Sequence, residues 1–250
     1  MSAQSYTAAT SVEEALEAMA AGARPIAGGT DLVVGARGGK APLPESLVAI
    51  HAIDELRGIS SSGGGLRMGA LVTHAEIVAD ATVRDRLTAL ADLFTGPGRT
   101  VAEAGELLTE LAIPAPRDGT GSCYARLEYR RQMEIAIVGA TAVVTLDGGA
   151  VRDARIAITA LAPTIHRVAE AEQALNGSDA SDAAVHAAAD AAASASRPIS
   201  DVRGSADYRR AMAAVIARRA ITAALARARG EHVPIPASPA LHGATNGGAA

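Results

Sequence analysis

A short apolar run, Pro25-Ile26-Ala27, stops at two adjacent glycines, and Gly28-Gly29-Thr30-Asp31-Leu32 follows. No other stretch constrains the chain as much. The run reads as a buried strand end. Glycine adopts backbone angles closed to other residues and lets a ligand approach the main chain with no side chain between. Thr30 adds a hydroxyl, and successive amides in such a turn form an anion-binding concavity of the kind a pyrophosphate needs. A tight turn after a strand explains the same two glycines, and a motif this short does not separate the readings. Asp31 beside a phosphate would hold backbone N–H groups or a ribose hydroxyl rather than face the anion.

The flanking pattern sets this loop in a fold. Ser11-Val12-Glu13-Glu14 reads as a capping box in which Ser11 and Glu14 satisfy each other's free N–H groups. Val12, Ala15, Leu16 and Met19 then fall on one helical face, and Gly22 stops the helix. A strand at 24–27 therefore follows a helix directly. Further strands are expected at 46–53 and 66–71, with 60–65 as a turn rich in serine and glycine. Thr73 is placed to cap a helix through Glu76 to Ala79. Another helix is expected at 82–93, and 94–99 has loop chemistry.

Strands are expected next at 107–113 and 122–129. Two apolar strands, 135–146 and 151–162, flank Asp147-Gly148-Gly149, a strong hairpin signal. Their apolar faces need a cover, which helices at 167–175, 179–193 and 207–229 supply. Tyr208, Met212, Val215, Ile216 and Leu225 are available for burial on the last. The fold class is α+β, with residues 1–110 as one domain, 111–229 as a sheet-and-helix domain, and 230–250 as a flexible tail.

Composition removes several functions. A net charge of −4 with scattered basic residues gives no reason to expect nucleic acid. Cys123 is the single cysteine, too little for an iron–sulfur cluster or a zinc site. No apolar run suggests a membrane span, and Met1-Ser2-Ala3-Gln4 lacks a basic then apolar leader, so a cytoplasmic location is expected.

Several stretches taken in order carry a resemblance: Ala27-Gly28-Gly29-Thr30-Asp31-Leu32; Gly69-Ala70-Leu71-Val72-Thr73-His74; Phe94-Thr95-Gly96-Pro97-Gly98-Arg99-Thr100; Glu106-Leu107-Leu108-Thr109-Glu110; and Arg130-Arg131-Gln132-Met133-Glu134-Ile135-Ala136. Together they resemble the FAD-binding medium subunit of the molybdenum hydroxylases, the xanthine dehydrogenase and carbon monoxide dehydrogenase group. The resemblance implies a two-part, PCMH-like FAD-binding fold followed by a C-terminal antiparallel sheet with helices. It implies FAD as cofactor and electron transfer to an external acceptor. It implies two partners, a large molybdopterin-binding subunit and a small subunit with [2Fe–2S] clusters, neither cofactor being held by this chain. Ile26 to Leu32 match the loop that holds the pyrophosphate, Leu108 a position near the flavin ring, and Arg126 a basic side chain beside the isoalloxazine. Arg126 read without the resemblance is a solvated arginine on an edge strand. Arg130, Arg131 and Glu134 read as a surface ion-pair cluster, His74 as a helix N-terminal residue and Cys123 as an inert packed thiol. No catalytic base or metal ligand emerges.

One departure stands out. Between Leu93 and Phe94 the family carries several dozen residues with a second glycine-rich FAD loop, and this sequence has nothing like it. Either a segment of the working protein is absent here, or FAD binding is weakened or lost. In the latter case the chain is a flavin-less scaffold of the same type of complex.

Overall fold

The computed structural model describes residues 5–30, 32–39, 42–62, 65–73, 76, 94–96, 99–103, 105–129 and 135–233. These fall into two compact units, one drawn from Met1–Arg86 and Ala102–Ala115, the other from Leu87–Val101 and Pro116–Ala250.

The first unit opens with β1 (Ser5–Ala8), α1 (Val12–Ala20), β2 (Arg24–Ile26), a short α2 (Leu32–Arg37) and β3 (Ser46–Ala49). The strands form a parallel sheet in the order β1-β3-β2. Pro25, which has no N–H to donate, therefore sits in an edge strand, where its loss to the ladder is tolerated. Ser11 Oγ accepts the Glu14 N–H at 3.2 Å, as the capping box requires. Glu14 itself reaches one residue further than expected: its carboxylate accepts the Thr10 N–H at 2.7 Å and the Thr10 hydroxyl at 2.9 Å. Those bonds hold the Glu14 carboxyl below the usual carboxylate range.

Ala15 is buried, and Val12 and Met19 pack on a core of Ala9, Val48, Ile50, Ile53 and Leu56. The strand expected at 46–53 ends at Ala49, because Ile53 leads into a 3-10 turn at Asp54–Leu56. Residues read as a serine-rich turn instead form β4 (Ile59–Ser62), which pairs with β5 (Gly65–Gly69). Serine tolerates a strand when the cross-strand partner carries the apolar side chain, and here Ser61 faces Leu66, which is buried. β8 (Glu110–Ile113) completes this antiparallel sheet in the order β4-β5-β8. Thr73 and Glu76 form a reciprocal capping box, with Glu76 N–H to Thr73 Oγ1 at 3.3 Å and Thr73 N–H to Glu76 Oε2 at 2.6 Å. The helix expected at 82–93 lies outside the described residues.

In the second unit the segment expected as a loop after residue 93 is a small hairpin, β6 (Phe94–Gly96) with β7 (Arg99–Thr100). The main sheet is antiparallel in the order β12-β11-β10-β9: β9 is Thr120–Leu127, β10 Val138–Asp147, β11 Ala150–Thr159 and β12 His166–Arg167. The hairpin at Asp147-Gly148-Gly149 joins β10 to β11 as expected. Alternate residues Cys123, Ala125 and Leu127 of β9 point to the buried face, and Tyr124 and Arg126 to the other.

Three helices cover the buried face: α3 (Ala169–Leu175), α4 (Asp182–Ala195) and α5 (Ala206–Ala228). The alanine-rich α4 packs closely, burying Val185, Ala188, Ala189 and Ala192. On α5, Ile216, Ile221 and Leu225 are buried in the same core, whereas Tyr208, in the first turn, stays exposed at 42%. At Gly121 on β9 the helix backbone comes close: a Cβ there would overlap Ala224 O and Ala228 N of α5. The tail from 234 onward lies outside the described residues.

Candidate functional site

The glycine loop begins where a strand ladder runs out. Ile26 closes β2, half-buried, and its carbonyl accepts the Ile50 N–H at 3.0 Å. Beyond it Ala27, Gly28 and Thr30 are exposed and Gly29 is half-buried. Gly29 has φ +71°, and a Cβ there would lie 3.2 Å from Ile26 Cδ1 and 3.3 Å from Val33 Cγ2. Only glycine takes that conformation without strain. The Gly29 carbonyl then accepts the Val33 N–H at 2.9 Å, which starts α2 and leaves Leu32 half-buried at its first position.

Gly28 is a glycine for another reason. Its φ lies outside the left-handed region, and among the described residues nothing stands within 4 Å of the place a Cβ would occupy. Among the described residues no acceptor takes the N–H of Gly28, Gly29 or Thr30. Exposed donors with no side chain in front of them, at the carboxyl end of a parallel strand, suit the diphosphate of a dinucleotide. Asp31 lies outside the described residues.

The other two expected site residues lie in different units. Leu108 belongs to the first unit and is 42% exposed, while its neighbour Leu107 packs on the core of that unit. Arg126 belongs to the second unit, on the uncovered face of β9, with Nη2 2.6 Å from Glu128 Oε2. The contact is an ion pair off the hydrogen-bond axis, so the buried Glu128 Oε2 has no hydrogen-bond partner among the described residues. Arg126 is thus neither free in solvent nor fully engaged. Glu128, one residue past the end of β9, escaped the sequence reading, although the strand expected at 122–129 would set it on the same face as Arg126.

Cys123 is buried, and burial pushes its thiol up, as expected for an inert packed cysteine. His74 and the stretch Arg130 to Glu134 lie outside the described residues. Among the described residues no cluster of histidine, cysteine and carboxylate side chains could hold a metal ion, and no helix is long and apolar enough to cross a membrane.

A parallel sheet ending in an exposed glycine loop has the form of a nucleotide-binding unit. Comparison with known proteins supplies the family. Residues 2–93 match the FAD binding domain in molybdopterin dehydrogenase, and residues 122–224 the CO dehydrogenase flavoprotein C-terminal domain. The carbon monoxide dehydrogenase medium chain of Hydrogenophaga pseudoflava is 31% identical over 239 residues, covering 74% of this chain and 83% of that one. The solved carbon monoxide dehydrogenase of the same organism superposes with a TM-score of 0.85 at 31% identity, covering 90% of this chain and 98% of that one. The 6-hydroxypseudooxynicotine dehydrogenase complex subunit alpha of Paenarthrobacter nicotinovorans is 29% identical, covering 90% of this chain and 95% of that one. The chain belongs to the FAD-binding medium subunits of the molybdenum hydroxylase family, and is a flavoprotein component of a molybdopterin-dependent oxidoreductase. The match to the Paenarthrobacter subunit runs over 290 positions although this chain has 250 residues, so at least 40 positions there have no counterpart here.

Proposed function

We propose that the loop from Ile26 to Leu32 holds the diphosphate of FAD, and that the chain relays electrons from the [2Fe–2S] clusters of a small subunit to an external acceptor. A large molybdopterin-binding subunit would carry out the hydroxylation, and the assembly would work in the cytoplasm. FAD, when bound, supplies the redox chemistry, accepting electrons and giving them up again. The chain's part is to bind and orient. The amides of Gly28, Gly29 and Thr30 donate to the diphosphate, and Asp31 holds loop amides or a ribose hydroxyl. Leu108 offers an exposed apolar surface to the flavin ring. Arg126 supplies a positive charge that favours the reduced, more negative form of the cofactor, and Glu128 moderates it. The observation that carries this reading is that, among the described residues, the amides of Gly28, Gly29 and Thr30 have no acceptor and nothing stands within 4 Å of a Cβ at Gly28.

The test is electrochemical. Arg126→Gln in the assembled complex is expected to lower the midpoint potential of the bound flavin, and Glu128→Gln to raise it. Unchanged potentials in both variants would remove Arg126 from the cofactor's surroundings.

A further inference from the structure

One polar row crosses the face of the main sheet that the helices leave uncovered. Arg126 on β9, Gly139 on β10 and Thr159 on β11 are cross-strand partners, so they stand side by side on that face. Tyr124, two residues before Arg126, shares the face. It leans across β10 to Gly139: a Cβ there would lie 2.8 Å from Tyr124 Oη and 3.1 Å from Tyr124 Cε2, and would collide with Thr159 Oγ1. The two hydroxyls thus close on one point, Tyr124 from β9 and Thr159 from β11. Gly139 has no positive φ, so its backbone alone does not call for glycine. The approach of the two hydroxyls does.

Neither hydroxyl is spent within the protein. Among the described residues neither Tyr124 Oη nor Thr159 Oγ1 has a hydrogen-bond partner. Their like elsewhere in the unit are paired: Tyr129 Oη donates to Arg203 O at 2.8 Å, and the hydroxyls of Thr120 and Thr145 lie 2.8 Å apart. Tyr124 is 46% exposed and Thr159 half-buried, so neither is sealed in the core. Arg126 stands next to Gly139 in the row, its charge shared with Glu128. Two neutral hydroxyls and one cation are therefore grouped around the ring of Tyr124.

We propose that Tyr124 and Thr159 receive the pyrimidine edge of the isoalloxazine ring of FAD. That edge offers a carbonyl, an N–H and a second carbonyl in a row. The phenol of Tyr124 donates to one carbonyl, and the hydroxyl of Thr159 accepts from the N–H or donates to the other carbonyl. Both bonds to carbonyl oxygens strengthen as the ring gains electrons, so they act in the same direction as Arg126. The chemistry selects the occupant: an aromatic ring with hydroxyls and a cation around it matches a planar heterocycle with an imide edge better than an apolar protein surface. The proposal rests on the reading of this chain as an FAD subunit and adds to it the residues that hold the ring.

The experiment uses the whole chain co-expressed with the other two subunits of its complex, stripped of flavin and titrated with FAD or with FAD methylated at the imide nitrogen. Tyr124→Phe and Thr159→Val keep the side-chain shape and remove only a hydroxyl, so both should melt like wild type. Each is expected to weaken FAD binding about three- to tenfold, and the two together to lower the midpoint potential of the bound flavin. Wild type is expected to bind the methylated flavin at least tenfold more weakly than FAD, and the double variant to lose most of that preference. Gly28→Val should weaken both flavins equally, because the diphosphate is the same in each. A double variant that keeps the wild-type affinity, preference and potential would overturn the assignment and leave the diphosphate loop standing. A wild-type complex that binds neither flavin would overturn both.

Discussion

Gly28 and Gly29 look alike in sequence and differ in structure, so substituting each should separate folding from binding. At Gly29 an L-residue would have to hold φ +71°, with its Cβ 3.2 Å and 3.3 Å from two side chains. The left-handed conformation costs about 1–2 kcal/mol. Gly29→Ala should therefore destabilise the first unit by about that amount, lower its melting temperature, and distort the loop. At Gly28 the φ is outside the left-handed region and the Cβ would meet nothing within 4 Å among the described residues. Gly28→Val should change stability by no more than about 0.5 kcal/mol. Its side chain would nevertheless fill the space through which a diphosphate reaches the amides. Each hydrogen bond to a charged group is worth about 1.5–3 kcal/mol, so losing one should weaken FAD binding about ten- to a hundredfold. Differential scanning calorimetry and FAD titration by flavin fluorescence measure the two effects independently. A Gly28→Val protein that melts like wild type and also binds FAD with unchanged affinity would refute the cradle.

Three further outcomes follow from the second unit. Gly121→Val should drive a side chain into Ala224 and Ala228, forcing α5 off β9, and lower stability by about 3 kcal/mol or more in urea titration. Arg209→Met removes the Arg209 donor from Ile137 O, Ala160 O and Asp201, which keeps only its bonds from Arg203, and should cost about 3 kcal/mol, read as a shift in the urea midpoint at constant slope. Asp201 is held below its ordinary carboxyl value by the Arg203 N–H and then by the Arg209 guanidinium. Because the folded value is the lower one, this stabilisation is full above the unfolded value and fades as pH falls through about 4 and below. Melting temperatures of wild type and Asp201→Asn should therefore converge in acid and diverge at neutral pH.

The parts of the fold that were legible in the sequence are those governed by local rules. The capping residue Ser11, the stop at Gly22, the hairpin at Asp147-Gly148-Gly149 and the long helix ending near Ala228 all follow from spacing and turn chemistry. What sequence alone misplaced depends on pairing across distance. Ser60 to Ser62 lie in a strand only because β5 stands beside them, and Phe94 to Gly96 only because Arg99 and Thr100 return to meet them. At the site, the glycine loop was visible as a pattern, but the different reasons for its two glycines were not, since a φ angle and an empty space have no sequence signature. Glu128 was legible in principle from strand alternation. The buried pairing of Arg209 with Asp201 was not: Arg209 also donates to Ile137 O and Ala160 O, and these residues, far apart in the chain, meet only in the folded unit.

The central claim is that main-chain donors around Gly28 hold a dinucleotide. The most direct measurement is the flavin content of the purified wild-type chain in its complex, by absorbance and by extraction after denaturation. The account predicts FAD equimolar with this chain, released on unfolding. A fully folded, assembled preparation that is colourless and takes up no FAD on titration would contradict it.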